Sequence, residues 1–304
     1  MDTFSITARD GKSIHCVRWL SCEQPTAVVQ LAHGMGEHIA RYDATARALN
    51  EAGYLVYGND HRGHGQTDPT LPGDMGVDGW NRLIDDARLI NENIATSHPG
   101  LSCVLLGHSM GSMMAMQYLC RFGHTLDAAV LSGTPGIRPP LQTLLSTLIA
   151  LFERWRLGPG ADSEMMQNML FGSANENFDG PDATGFEWLS RDAEQVRQYV
   201  NDPLCGFVLR TGSLVNLFSG AREAARKGNI ATIPTDLPIY IFCGADDPVH
   251  DESKNLTRLS DRYRAAGLDF KMKLYPGGRH EMFNETNAEE VVGDLVAWLD
   301  KQFS

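Results

Sequence analysis

The chain has 304 residues, 42% of them hydrophobic and 21% charged, which is enough apolar material for a packed core and too much for a disordered chain. Lys and Arg number 26 against 38 Asp and Glu, and the formal net charge of −12 disfavours nucleic acid as a partner. No stretch approaches the roughly 18 uninterrupted apolar residues of a membrane span, and the first residues lack the basic-then-apolar order of a secretion leader.

The first two predicted strands, residues 4–8 and 14–19, lie close enough in sequence to pair as an antiparallel hairpin at a sheet edge. A third follows at 27–32, then a short helix at 41–52 with Gly53 placed where a left-handed helix stop belongs. Strand 54–58 precedes a helix over 80–96, on which Leu83, Ala87, Ile90 and Ile94 form one stripe. Strand 102–106, helix 109–122 and strand 128–131 continue the alternation. Late in the chain, strands 239–243 and 270–275 are each followed by a helical pattern, at 252–266 and 288–301. Such alternation predicts an α/β fold, a mostly parallel sheet with helices on both faces. Between 135 and 235 the alternation stops, and the pattern there is helical and loop-like. This predicts a core made of residues 1–134 and 236–304 and an inserted, mainly helical cap over the sheet's C-terminal edge, where open α/β folds bind ligands.

Gly107-His108-Ser109-Met110-Gly111 matches G-x-S-x-G and stands directly between a predicted strand and a predicted helix. A turn this sharp needs small neighbours, and it lifts the serine above the sheet with the helix N-terminus beneath it. A serine hydroxyl is a poor nucleophile without a base and an acid that orients the base. In this architecture these follow in the order acid, then histidine, each after a later strand. His280 stands just beyond the last strand, in GGRHE. The acid is Asp246 or Asp247 in GADDPV, with Asp247 preferred because the proline and valine after it fix the loop. Oxyanion donors are expected from the backbone N–H of Met110 and from the glycine-rich loop His33-Gly34-Met35-Gly36-Glu37-His38, where Met35 is the candidate. That loop lacks the G-K-[ST] ending of a phosphate loop and the H-E-x-x-H spacing of a zinc site. The loop Asp60-His61-Arg62-Gly63-His64-Gly65-Gln66 reads as a brace for its neighbour rather than as part of the chemistry. Six cysteines form no C-x-x-C pair, and Cys103 and Cys243 sit inside predicted strands, so a reducing, cytoplasmic setting is expected.

Taken together, HGMGEH with Arg41-Tyr42, DHRGHGQT, GHSMG, GADDPV and GGRHEMF resemble the monoacylglycerol lipase and lysophospholipase group of α/β-hydrolases, over about residues 3–301. The resemblance implies an eight-stranded α/β-hydrolase fold, a Ser109–Asp247–His280 triad, a Met35/Met110 oxyanion hole, and neither cofactor nor metal. It also implies that the alcohol part of a substrate meets Gly34, Glu37 and Arg41, and position 283, a histidine in animal members and Phe283 here. The function to expect is hydrolysis of short to medium acyl esters, monoacylglycerol-like lipids among them, through an acyl-enzyme. An amidase or aminopeptidase is the alternative within enzymes, and a hydrolase-fold binding protein the alternative outside them. Dehalogenases and epoxide hydrolases place Asp at the elbow and are excluded by Ser109. Leu141, Leu144, Leu145, Leu148, Phe152 and Trp155 make a helical stripe in the cap. That stripe is expected to line an acyl tunnel, to touch a lipid surface transiently, or to pack on the sheet.

Overall fold

Strands form where apolar and β-branched residues run together. The computed structural model describes residues 1–178 and 180–303. Its strands are β1 (Asp2–Thr7), β2 (Ser13–Trp19), β3 (Ala27–Ala32), β4 (Tyr54–Asn59), β5 (Ser102–His108), β6 (Ala128–Ser132), β7 (Ile239–Gly244) and β8 (Phe270–Tyr275). All eight join one sheet in the order β1-β2-β4-β3-β5-β6-β7-β8. The two pairs at the β1 end are antiparallel and the rest parallel. Strands β3, β4, β6 and β7 are buried along their whole length, which is why they read as unbroken apolar runs. After β3 the chain steps to β4 on one side and later to β5 on the other, so the order reverses beside β3. Loops leaving the C-terminal ends of β3 and β5 diverge there and open a crevice.

In chain order the helices are α1 (Asp43–Glu51), α2 (Gly79–Ser97), α3 (Met110–Phe122), α4 (Pro140–Leu157), α5 (Glu164–Phe171), α6 (Ala193–Asn201), α7 (Thr211–Ala224), α8 (Lys227–Ile230), α9 (Lys254–Ala265) and α10 (Ala288–Phe303). Strand alternation divides the core in two. Leu105 points into the core that holds Leu83 and Ile90 of α2, Leu119 of α3 and Leu259 of α9. Val104 and Leu106 point into the opposite core, with Leu49 of α1 and Leu295 and Trp298 of α10.

Helices α4 to α8 lie in the segment between β6 and β7, which contains no strand among the described residues. Part of this segment belongs to the main core: Leu214, Leu217 and Phe218 of α7 join the cluster of α2 and α3. Gly220 permits that approach, because a Cβ there would lie 1.9 Å from Trp80 Nε1. A smaller cluster, Ala174, Trp188, Leu189 and Tyr199, is built from the segment, with Val249 from the loop after β7 packed against it. Helix α4 is turned outward. It buries Ser146, Thr147, Ala150 and Glu153, and its predicted stripe, from Leu141 at 68% exposure to Trp155 at 80%, faces solvent. The stripe therefore neither packs on the sheet nor lines a tunnel, as two of the three expectations had it. No helix among the described residues is long and apolar enough to cross a membrane.

Candidate active site

The G-x-S-x-G pattern has a geometric cause. A Cβ at Gly107 would sit 2.3 Å from Gly111 O, and one at Gly111 would sit 2.2 Å from Ala32 O, so the turn closes on itself and on β3. Ser109, between β5 and α3, adopts φ 50° and ψ −113°, a conformation that costs an L-residue energy and is held by its surroundings. Its N–H donates to Ser132 O at 2.9 Å, and its carbonyl accepts from the Ser112 N–H at 3.0 Å and from Ser112 Oγ at 2.6 Å.

Three side chains from three loops meet at this turn. His280 Nε2 lies 2.8 Å from Ser109 Oγ, and His280 Nδ1 lies 2.9 Å from Asp247 Oδ2. Asp247 Oδ1 accepts from the Val249 N–H at 2.9 Å, while Asp246 is exposed. Burial opposes charge on His280, but the charge and hydrogen bond of Asp247, with Glu281 and Glu37 further off, outweigh it and raise the imidazole above 6.5. Burial likewise works against the Asp247 carboxylate, and His280 with its hydrogen bond reverses this and holds Asp247 below the usual range. The loop bearing His280 is pinned to the α5–α6 region, with the Glu281 N–H donating to Leu189 O at 2.7 Å.

The loop after β3 is built around Glu37. Its Oε1 accepts from the Gly34 N–H at 2.5 Å and from Tyr42 OH at 2.8 Å, and its Oε2 accepts from Arg41 at 2.6 Å. Arg41 also grips Glu281 with two bonds of 2.7 and 2.6 Å. One guanidinium thus ties this loop to the residue beside His280. Burial and the charge of Glu281 raise Glu37, despite Arg41. Arg41 overcomes the burial of Glu281 and holds it down to about 2. Gly34 is required by contact: a Cβ there would lie 2.7 Å from Glu37 Oε1 and 3.3 Å from Ser109 Cβ. The Met35 amide has no protein acceptor among the described residues, and the Met110 amide opens α3, where an N–H has no partner within the helix.

The 60–66 loop braces its neighbour as expected. The His61 N–H donates to His33 Nε2 at 2.9 Å, so the His33 proton is on Nδ1, which donates to Gly34 O at 2.7 Å. Asp60 Oδ1 accepts from the Ile39 N–H at 2.8 Å. Burial keeps these imidazoles neutral, with His61 lowered to about 3 and His64 to about 4.

Ser109, His280, Met35, Met110, Gly34 and Glu37 line a cavity of about 940 Å³. Two of the expected substrate-contacting residues do not line it. Arg41 is spent on its two carboxylates. Phe283 is buried in the opposite core, with ring centroids 6.3 Å from Tyr42 and 5.4 Å from Phe242. Among the wall residues that the sequence reading does not single out are Glu281 and Tyr199. The acid next to His280 was a visible signal, but its partner Arg41 lies 240 residues away. Among the described residues His38, Asp202 and Cys205 bring three metal-ligand atoms within 4.8 Å of one another. His38 and Asp202 are already joined at 2.8 Å, a bond that fastens the loop to the segment after α6.

A family model described as serine aminopeptidase, S33, matches residues 23–287. Monoacylglycerol lipase of Mycolicibacterium smegmatis is 29% identical over 92% of this chain and 90% of its own length. The monoglyceride lipase of Homo sapiens is 27% identical over 96% and 88% respectively. The crystal structure of a thermostable carboxyl esterase from Bacillus coagulans in complex with glycerol superposes with a TM-score of 0.91 at 27% identity, covering 100% of this chain and 99% of that one. With the hydrolase sheet, the serine turn and these relatives in agreement, the chain belongs to the serine aminopeptidase S33 family and is a monoacylglycerol lipase-like α/β-hydrolase, an ester-hydrolysing enzyme.

Proposed function

We propose that Ser109 is the nucleophile of a serine hydrolase acting on carboxylic esters of short to medium acyl chains, monoacylglycerols among them. The observation that carries this is the hydrogen-bonded chain Ser109 Oγ–His280 Nε2 at 2.8 Å and His280 Nδ1–Asp247 at 2.9 Å, opening on a large cavity. Ser109 Oγ attacks the acyl carbon while His280 Nε2 takes its proton. The N–H groups of Met110 and Met35 receive the oxyanion, with Glu37 fixing the Gly34 peptide before Met35. His280 then protonates the departing alcohol oxygen, which leaves the acyl group on Ser109. Water, deprotonated by His280, releases the acid by the same steps in reverse. Asp247 keeps the His280 proton on Nδ1 and stabilises the imidazolium.

Ester is favoured over the aminopeptidase alternative by the state of the acids in the cavity. A substrate α-amino group needs a free carboxylate beside Ser109, and Glu37 and Glu281 are both engaged by Arg41, while the third acid of the wall, Asp251, pairs with Lys254. Residues 135–235 act as a cap, since Phe171, Trp188 and Phe207 wall the cavity above Ser109. The solvent-facing apolar stripe of α4 supports transient contact with a lipid surface, from which a lipid ester would enter. All six cysteines are free, which supports a reducing, cytoplasmic setting.

The test is hydrolysis of p-nitrophenyl esters from acetyl to palmitoyl by the wild type and Ser109→Ala. Turnover is expected to fall on the order of 10⁶-fold in the variant. Activity retained in Ser109→Ala, in a protein that still melts cooperatively, removes Ser109 from the mechanism.

A further inference from the structure

The cavity above Ser109 has two unlike ends. Toward the loop after β3 its wall is polar, with Glu37, Glu281 and Tyr199. In the other direction Met113 and Met116 of α3 and Leu217 and Phe218 of α7 make an apolar lane. Helix α7 carries that wall onward at about 1.5 Å per residue to Arg222 and, past its end, to Arg226 and Lys227. Arg138 and Arg262 line the same cavity from two other elements. Arg262 reaches the end of α7, donating to Ala225 O at 3.3 Å, and the chain bearing Arg138 lies along α9, with the Ile137 N–H donating to Asn255 O at 3.1 Å. Five cations therefore line one cavity of a protein whose net charge is −12, and α7, its exit and α9 bring them to its mouth, the side away from the loop after β3.

The acids nearby are too few to neutralise this group. Glu223 pairs with Arg226 at 2.9 Å, and Asp251, which lines the cavity, shares Lys254 with Glu252, each at 3.2 Å, and also lends its charge to Arg138. Among the described residues Arg138, Arg222 and Lys227 make neither an ion pair nor a side-chain hydrogen bond. The dipole of α7 favours cations at its C-terminal end, which accounts for those the helix and its exit carry. It does not account for Arg138, half-buried on another segment, where burial disfavours its charge and only the charge of Asp251 offsets this.

We propose that this mouth receives an anionic group at the far end of the acyl chain, so that the enzyme accepts esters whose acyl part ends in a carboxylate. The ester carbonyl sits at Ser109, the methylenes lie along the apolar lane, and the terminal carboxylate meets Arg138, Arg222 and Lys227. This rests on the ester-hydrolase reading above, which fixes where the carbonyl sits.

Two substrate series of rising length separate the two claims: p-nitrophenyl alkanoates, and p-nitrophenyl monoesters of α,ω-dicarboxylic acids with the same carbon number. In the wild type the dicarboxylic series is expected to show a length above which kcat/KM matches or exceeds that of the neutral ester, an advantage that shrinks with added salt. Arg222→Glu combined with Lys227→Glu, and separately Arg138→Gln, should lower kcat/KM on those half-esters by about tenfold or more through KM. The double variant should stay within about twofold on the neutral esters, as exposed substitutions do, and Arg138→Gln, at a half-buried position, should lose several-fold more on the half-esters than on the neutral ones. Equal losses on the two series, or half-esters cleaved no better than neutral esters at any length and indifferent to the substitutions, overturn the proposal. Failure of the wild type on every neutral and charged ester instead overturns the ester reading, so the two failures are distinct.

Discussion

Helices α2 and α4 have similar apolar stripes and opposite fates. Leu83, Ala87, Ile90 and Ile94 of α2 are buried against the sheet. Helix α4 buries Ser146, Thr147, Ala150 and Glu153 instead and turns Leu145, Leu148, Phe152 and Trp155 to water. Glu153 is satisfied there by Arg156 at 2.7 Å and Ser163 Oγ at 2.5 Å, so a polar inner face is possible for α4 as it would not be for α2. A periodic stripe shows that a helix has an apolar side. What covers that side is decided by the tertiary structure. The same contrast divides the molecule: the sheet edge holds groups in fixed hydrogen-bonded geometry, while the segment between β6 and β7 walls the cavity and presents a surface.

If that division is right, changes at the sheet edge should reduce turnover on every ester, however it is presented. Next to Ser109→Ala, Asp247→Asn should show the largest effect, a fall in kcat of about 10⁴-fold, because the amide leaves the imidazole proton on the wrong nitrogen. The pH profile sharpens this. His280 must be neutral to act as a base, and its pKa is raised above 6.5 by Asp247 against burial. The wild-type kcat/KM should therefore rise with pH through a midpoint above 6.5, and in Asp247→Asn that midpoint should move to lower pH. A midpoint that does not move would mean that Asp247 does not set the protonation of His280.

The stability of the two helices should differ as their burial does. Leu83→Ala is expected to cost about 2–5 kcal/mol, a core truncation with its cavity, whereas Leu145→Ala at 51% exposure should stay within about 0.5 kcal/mol. Urea midpoints read both, and similar costs would mean that α4 is covered in solution.

Much of this was legible in the sequence. The inner parallel strands announce themselves because they are buried on both faces, and Ser109 because the glycines on either side of it, Gly107 and Gly111, stand where a turn that closes to 2.2–2.3 Å admits no Cβ. His280 is marked by its place after the last strand. The Arg41 clamp is not legible there, since its two carboxylates come from loops far apart in sequence, and the resemblance alone makes Arg41 a substrate contact. Position 283 enters only through the family resemblance, as a histidine in animal members; here it is Phe283, and one turn of 3₁₀ helix (Met282–Asn284) carries it into the core. The outward face of α4 was hidden because period alone says nothing about direction.

Acid should expose the two regions unequally, since all ten histidines lie outside residues 133–238. Burial lowers His61 and His108 to about 3 and His64 to about 4, and takes His33 well below 6.5. Below pH 6.5 the unfolded chain binds protons that these four decline when folded, so stability present above 6.5 is lost as pH falls. The loss is about 1.4 kcal/mol per pH unit for each histidine while the pH stays above its folded value. His280 acts in the opposite sense, its contribution being complete below 6.5 and lost as pH rises through its raised value. Burial also lowers His98; five against one predicts a melting temperature that falls from pH 7.5 to 5.5, and a flat profile would contradict the neutral burial of these imidazoles.

The smallest effect on soluble esters should come from α4, and it is the sharpest test of what that helix is for. Leu145→Ser with Trp155→Ser removes two side chains that are 51% and 80% exposed. Neither lines the cavity, so kcat/KM on a short dissolved ester should change by less than about twofold. Against monoacylglycerol dispersed in neutral phospholipid vesicles the argument differs, because burying such a side chain in an apolar phase is worth about 1.5–3 kcal/mol. Sedimentation with those vesicles should then weaken by about tenfold or more, and turnover of the dispersed substrate should fall with it. Loss on the dissolved ester as well would place α4 in the architecture of the cavity. Loss on neither would leave the stripe with no part in reaching substrate.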